Sequence, residues 1–245
     1  MSQSSPPRIV AFTKDWDDVP TCTTHILRGM GRRMPVLWIG SIGTRKPGWS
    51  DVGDRGRLLR RLRRAFAPSE HKENRLRVLS PLLIPKAQSA VSRAVNRRLM
   101  AAHLKRELAG MGAGPIEYWC FVPNAVDLLP STVRRNRRPV CPVLKQAGSS
   151  RRPTRDTRRR APSVIYYCVD DWSKFHNLDG AWLAAREAEL VACADAVLAP
   201  ARVLVEKCRA LGGRSVHYMP HGVEYDCFAK ACDEATAVPR DVSGL

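Results

Sequence analysis

The residues best able to do chemistry stand just after short apolar runs. "VIYYCV" (164–169) is followed at once by two adjacent carboxylates, Asp170 and Asp171, in "VDDWSKFHNLDG". Neighbouring carboxylates repel each other and are costly to desolvate, so at least one should meet a ligand, a cation or a helix end. Asp170 is the leading catalytic candidate; a helix cap or an ion pair to a nearby arginine is the competing role. His176 and Asp179 follow in the same loop. "RIVAF" (8–12) leads into "TKDWDDVPTCTTH", where Asp15, Trp16 and Asp18 crowd one loop and Thr21 to Thr24 open a helix. A helix start rich in hydroxyls and free amides suits a phosphate or a sugar hydroxyl. Thr23 is a binding candidate on that ground, and so is His25, for which a structural place inside the helix competes. Asn124, Asp171, and His221 with Gly222 in "VHYMPHGVEYDCF" (216–228), complete the candidate substrate-binding positions.

Several other chemistries lack their residues. No Gly-x-Gly-x-x-Gly or Walker sequence offers a dinucleotide or ATP site, and no Gly-x-Ser-x-Gly offers a nucleophile elbow. Cys227, Cys232 and His221 can be drawn as a metal site, but the thiols lack a matching second pair, so no metal is expected. The eight cysteines occur singly, without a Cys-x-x-Cys pair or a secretion signal, and read as reduced, mostly buried thiols.

The elements that must position these residues alternate between apolar runs and helical patterns, as stacked βαβ units do. Strands are expected at 8–12, 35–40, 77–80, 116–121, 164–169, 196–199 and 215–219. Between them, 87–108 carries Val91, Val95, Leu99 and Ala102 at helical spacing, a stripe expected to face a sheet. The segment 182–194 repeats the pattern with Leu183, Leu190, Val191 and Ala194, and 202–211 with Leu204, Cys208 and Leu211 before Gly212-Gly213. The fold class is α/β, a doubly wound, mainly parallel Rossmann-like sheet, spanning 1–232 with a linker at 233–245. In such sheets ligands sit beyond the carboxyl ends of the strands, where the candidate residues lie.

At 245 residues and 44% apolar the chain can bury an ordinary core, and its formal charge of +18 attracts polyanions. Much of that charge is local. From Ser131 to Ser163 eleven basic residues face the single acid Asp156 without an apolar period, which reads as an exposed, disordered insertion or a frame error. Aromatics are not interleaved with that basic run, so nucleic acid is a disfavoured partner. In "DRGRLLRRLRRAF" (54–66), Leu58, Leu59, Leu62 and Phe66 share one helical face, and Arg57, Arg60, Arg61, Arg63 and Arg64 cover the rest. Such a segment either lies on an anionic membrane or docks on its own domain. The start lacks a signal peptide and no apolar run reaches the roughly 18 residues needed to cross a bilayer, so a cytoplasmic place is expected, peripheral on the inner membrane face at most.

"VIYYCVDDWSKF", then "REAELVACADAVLAPARVLVEKCRALG", then "VHYMPHGVEYDCF" resemble the amino-terminal half of the family 4 glycosyltransferases, which have the two-domain GT-B fold. The matching positions are Asp170 and Asp171, Glu189 with Leu190, Ala194 with Asp195, and Pro220, Gly222, Val223, Glu224 and Phe228. "KDWDDVPTCTTHILRGMGRR", "VLWIG" and "PNAVDLL" match more loosely, so the likeness covers roughly 8–130 and 164–245. His221 stands where the family commonly has Asn, Glu224 where it has Asp, and many relatives have His at the position of Asp170. The resemblance implies transfer of a sugar from a nucleotide-sugar donor to a glycan or lipid-linked acceptor, held by the loops after "RIVAF", "IEYWCF" and "VIYYCV", with no bound cofactor. It also implies that Pro-x-Gly-Val leads to a donor-binding domain, which "AVPRDVSGL" reaches without entering. The expectation is an acceptor-side domain inactive alone, paired with a separate donor-domain polypeptide. The alternatives are a degenerate fragment without activity or a basic nucleic-acid-binding protein.

Overall fold

A computed structural model describes residues 5–40, 69–81, 83–84, 89–135, 162–176, 178–222, 225–233 and 235–237. The basic segment 54–66, with Arg57, Arg60, Arg61 and Arg64, lies outside the described residues, as does 136–161 of the arginine-rich stretch. The chain builds β1 (Arg8–Phe12), α1 (Cys22–Gly31), β2 (Val36–Ile39), β3 (Glu70–Glu73), β4 (Leu76–Leu79), α2 (Ala90–Ala109) and β5 (Ile116–Cys120). There follow a 3-10 turn (Pro123–Asp127), α3 (Ser131–Arg135), β6 (Ser163–Tyr167), a second 3-10 turn (Trp172–Lys174), α4 (Gly180–Cys193) and β7 (Ala196–Ala199). The last elements are α5 (Arg202–Ala210), β8 (Val216–Tyr218), α6 (Tyr225–Ala229) and a 3-10 turn (Lys230–Cys232).

One eight-stranded sheet runs in the order β3-β4-β2-β1-β5-β6-β7-β8. Every neighbouring pair is parallel except β3 with β4. This is the doubly wound Rossmann-like fold expected of the sequence. Parallel strands need crossovers, and α1, α2, α4 and α5 supply them. The strand order reverses between β1 and β5, which opens a crevice at their carboxyl ends. Side chains alternate across the sheet: Val10 and Phe12 join the core under α2, α4 and α5, while Ile9 and Ala11 join the core under α1.

All seven expected strands form, and the sequence pattern missed an eighth. β3 is "EHKE", with no apolar residue to announce it. Its charges suit the antiparallel edge it occupies, because they discourage pairing with another chain. Asn74, at φ 49, makes the turn into β4, and Glu73 binds Arg28 on α1 at 2.6 Å.

α2 presents a different face from the expected one. Val91 is 73% exposed and Leu99 39%, and the buried positions are Asn96, Met100, Leu104 and Glu107. Two polar residues on that face hid it from the apolar pattern. Asn96 accepts from the Ile84 amide at 2.7 Å and donates to the Ile84 carbonyl at 3.0 Å. Glu107 accepts from Ser69 and pairs with Arg77 at 3.6 Å and Arg106 at 3.1 Å. Satisfied in this way, both can be buried without the penalty of an unmet polar group. The edges of the basic stretch are also ordered: Ser131–Arg135 is helical with Val133 buried, and Ser163 opens β6. Val133 continues the apolar run of Leu128 and Leu129, which the count of arginines had masked.

The two α2 faces predict opposite mutational costs. Met100→Ala should lower unfolding free energy by about 2–5 kcal/mol, and Leu99→Ala by less than about 1 kcal/mol, as read from urea midpoints. A larger loss at Leu99 than at Met100 would restore the apolar-stripe orientation.

Candidate functional site

At the end of β6 the strand's alternation splits two environments. Tyr166 and Cys168 face the helices α4 and α5, while Tyr167 and Val169 face the α1 side. The two adjacent aspartates follow, and they part company.

Asp171, half-buried, belongs to an ionic network anchored on a buried glutamate. Glu187 on α4, whose side chain is 1% exposed, pairs with Lys207 of α5 at 2.6 Å. Its other oxygen accepts from Tyr166 Oη at 2.8 Å and from Cys168 Sγ at 3.3 Å. Lys207 reaches on to Asp171 Oδ1 at 2.8 Å, and the Ser173 hydroxyl donates to the same oxygen at 2.6 Å. Partial burial pushes the Asp171 carboxyl up, but hydrogen bonds from Lys207 and Ser173 outweigh it and hold the group below the ordinary aspartate range. Burial likewise pulls Lys207 down, and its bonds to Asp171 and Glu187 overcome that and raise it. Burial lifts the Tyr166 phenol well above its usual value, so it stays a donor.

Asp170 instead stands exposed, within electrostatic reach of two other parts of the chain. Partial burial raises its carboxyl, and His221 beyond β8 opposes the rise. Cys22, the first residue of α1, is raised by burial, lowered by hydrogen bonding with Thr23, and raised further by the charge of Asp170. Lys14, just after β1, draws Cys22 the other way; its own ammonium is lowered by burial, against the pull of Asp18. Tyr167 closes the group: its hydroxyl donates to the Met219 carbonyl at 3.3 Å and lies 3.4 Å from His221 Nδ1. Burial pushes that phenol up to about 12. An aromatic path of Trp119, Phe121, Tyr167 and His221, with centroids 6.2, 5.8 and 6.4 Å apart, runs beneath.

The remaining expected positions spread around the carboxyl ends of the strands. Thr23 is buried in the first turn of α1, where Thr21 and Thr24 form a capping box, and His25 lies half-buried one residue on. Asn124 is buried in the 3-10 turn after β5. His221 and Gly222 stand exposed beyond β8. Asp15 and Trp16 fall on the β2 side of the β1 end rather than beside Asp170. A Cβ on Gly40 would meet Asp15 Oδ1 at 3.1 Å. Trp16 packs edge-on against Trp38 at 5.1 Å and carries the Arg28 guanidinium over its ring at 5.2 Å. Glu189, the glutamate matched by family resemblance, is exposed and bonds Arg186 at 3.0 Å; the buried glutamate is Glu187.

Lys14, Cys22, Tyr167, Glu187 and Lys207 were not singled out from the sequence. A signal existed for two of them: Glu187 follows Leu183 by one turn on an apolar face, and Lys207 sits between Leu204 and Cys208. Charges so placed are buried and paired or they do not stay. The described cysteines are all free, with Cys120, Cys168, Cys193 and Cys208 buried.

Neither a family model nor a curated protein sequence matches the chain.

The electrostatics give a pH test. A carboxyl held below its unfolded value contributes stability in full above the ordinary aspartate range, and that contribution is lost as pH falls through the folded value. Asp171→Ala should therefore cost about 1 kcal/mol at neutral pH. The gap between wild type and variant should close as urea melts are taken from about pH 7 to about pH 3. A gap that widens on acidification would place the depressed carboxyl elsewhere.

Proposed function

We propose that this domain is the acceptor-binding half of a glycosyltransferase that moves a sugar from a nucleotide-sugar to a glycan or lipid-linked acceptor. The observation that carries the proposal is Tyr167 set 3.4 Å from His221 at the carboxyl end of the sheet, with Asp170 in electrostatic reach of His221 and of Cys22 at the hydroxyl-rich start of α1. A carboxylate beside aromatic faces suits a sugar ring, because ring C–H groups pack on aromatics while hydroxyls donate to the carboxylate. In this role Asp170 accepts from the acceptor hydroxyl and orients its oxygen for attack, and His221 favours the charged carboxylate. The motifs around Asp170 and Pro220 that resemble the family 4 glycosyltransferases lend independent support.

The nucleotide-sugar is supplied in this account by a second domain or a separate polypeptide, since the sequence offers no phosphate-cradling glycine loop. No helix among the described residues is long and apolar enough to cross a membrane. The basic segment 54–66 would instead hold the domain against an anionic membrane surface, within reach of a lipid-linked acceptor.

Isothermal titration of the 245-residue chain tests the proposal with UDP-glucose, GDP-mannose and a panel of glucose-, mannose- and N-acetylglucosamine-based oligosaccharides. At least one oligosaccharide should bind, and Asp170→Asn should weaken it by about tenfold, the loss of one charge-assisted hydrogen bond. Neither nucleotide-sugar should bind at micromolar concentration. Micromolar donor binding with no oligosaccharide binding would overturn it.

A further inference from the structure

α2 is amphipathic the wrong way round for a helix that serves only its own core. A helix laid on a sheet ordinarily buries an apolar stripe and shows polar residues to water. Here Asn96 and Glu107 are buried with Met100 and Leu104, while Val91 is 73% exposed, Leu99 is 39% exposed, and Ala94, Ala101 and Ala102 are exposed with them. Val91, Val95, Leu99 and Ala102 follow one another at helical spacing, so they form one outward stripe. We propose that this outward face of α2 is a docking surface for an anionic membrane.

The charges of the helix select that occupant. α2 carries Arg93, Arg97, Arg98, Lys105 and Arg106, and its only acid, Glu107, is buried. Arg93 and Arg97 turn inward to the Pro123–Asp127 turn, at 3.7 Å from Asp127 Oδ1 and 3.1 Å from the Asp127 carbonyl oxygen. Arg98 and Lys105 are exposed two turns apart on one flank of the stripe, three residues on from Val95 and Ala102. Arg106, on the other flank, is also exposed while it reaches Glu107 at 3.1 Å. Apolar side chains between long flanking cations are what an interfacial helix lays into a headgroup layer, with the cations on lipid phosphates and their stems along the apolar boundary. A second copy of the chain does not fit this face, because Arg98 and Lys105 would meet the same cations without an acid to pair them. The exposure that makes Leu99 dispensable for folding also lets the face be altered without unfolding the domain. The proposal rests on the anionic-membrane placement in the functional reading and needs nothing else of it.

Co-sedimentation of the 245-residue chain with vesicles of mixed phosphatidylglycerol and phosphatidylcholine tests the face. Wild type should bind these vesicles and leave pure phosphatidylcholine unbound. Arg98→Gln with Lys105→Gln should weaken binding by about thirtyfold, the loss of two cations near the surface. Val91→Ser with Leu99→Ser should weaken it by about tenfold, with the urea midpoint close to wild type. Should that pair destabilise the fold, the charge variants decide. Arg32→Gln with Arg33→Gln removes as much exposed charge just after α1, on the other face of the sheet, and should change binding by less than about threefold. Equal losses from the two charge variants would mean that binding follows net charge alone, and would overturn the proposal. So would full binding by folded Val91→Ser with Leu99→Ser, the mark of a purely electrostatic contact such as a nucleic acid makes. Binding kept by the α2 variants but lost in Leu58→Glu with Leu62→Glu assigns the membrane contact to 54–66 and overturns this inference alone. No vesicle binding by wild type overturns it together with the membrane placement, while the oligosaccharide titration decides the acceptor reading separately.

Discussion

A carboxylate with almost no access to water has to be neutralised where it sits, and Glu187 is that carboxylate here. Its two oxygens are taken by Tyr166, Cys168 and Lys207, which come from the core strand β6 and from α5. One charge thus ties a strand, two crossover helices and the loop that carries the candidate site. Replacing the arrangement with apolar side chains of similar volume could leave the fold as stable. What apolar packing could not do is reach out of the core with a cation and hold Asp171.

That reach gives two neighbouring residues of the same type unlike surroundings. Asp171 becomes a counter-ion, depressed by its partners, and Asp170 stays an exposed carboxyl raised by partial burial, in electrostatic reach of His221 and Cys22. Pairs of titratable groups pushed apart by their surroundings are a mark of working sites. Both aspartates stand at the carboxyl edge of the sheet, near the reversal of strand order where ligands of open parallel sheets bind.

The sheet was legible in the sequence because its strands are buried on both faces and so read as continuous apolar runs, as "RIVAF" and "VLWI" do. β3 was not, because an edge strand of charges carries no such run. The rotation of α2 was misread for a related reason: Asn96 and Glu107 look like solvent-facing residues until their partners Ile84, Ser69 and Arg77 are placed, and those lie far off in the chain. At the site, the sequence offered Asp170 and His221 as candidates by their place after apolar runs. That Asp171 is held by an ion pair was not there to read, since its partner Lys207 lies 36 residues away.

The division of the two aspartates is the claim on which the rest stands, and coupling energies test it without any ligand. Double-mutant cycles in urea, pairing Lys207→Met with Asp171→Ala and separately with Asp170→Ala, measure each link. The account predicts a coupling of about 1 kcal/mol or more between Lys207 and Asp171, and one below about 0.5 kcal/mol between Lys207 and Asp170. Coupling of Lys207 to Asp170 as strong as to Asp171 would contradict it.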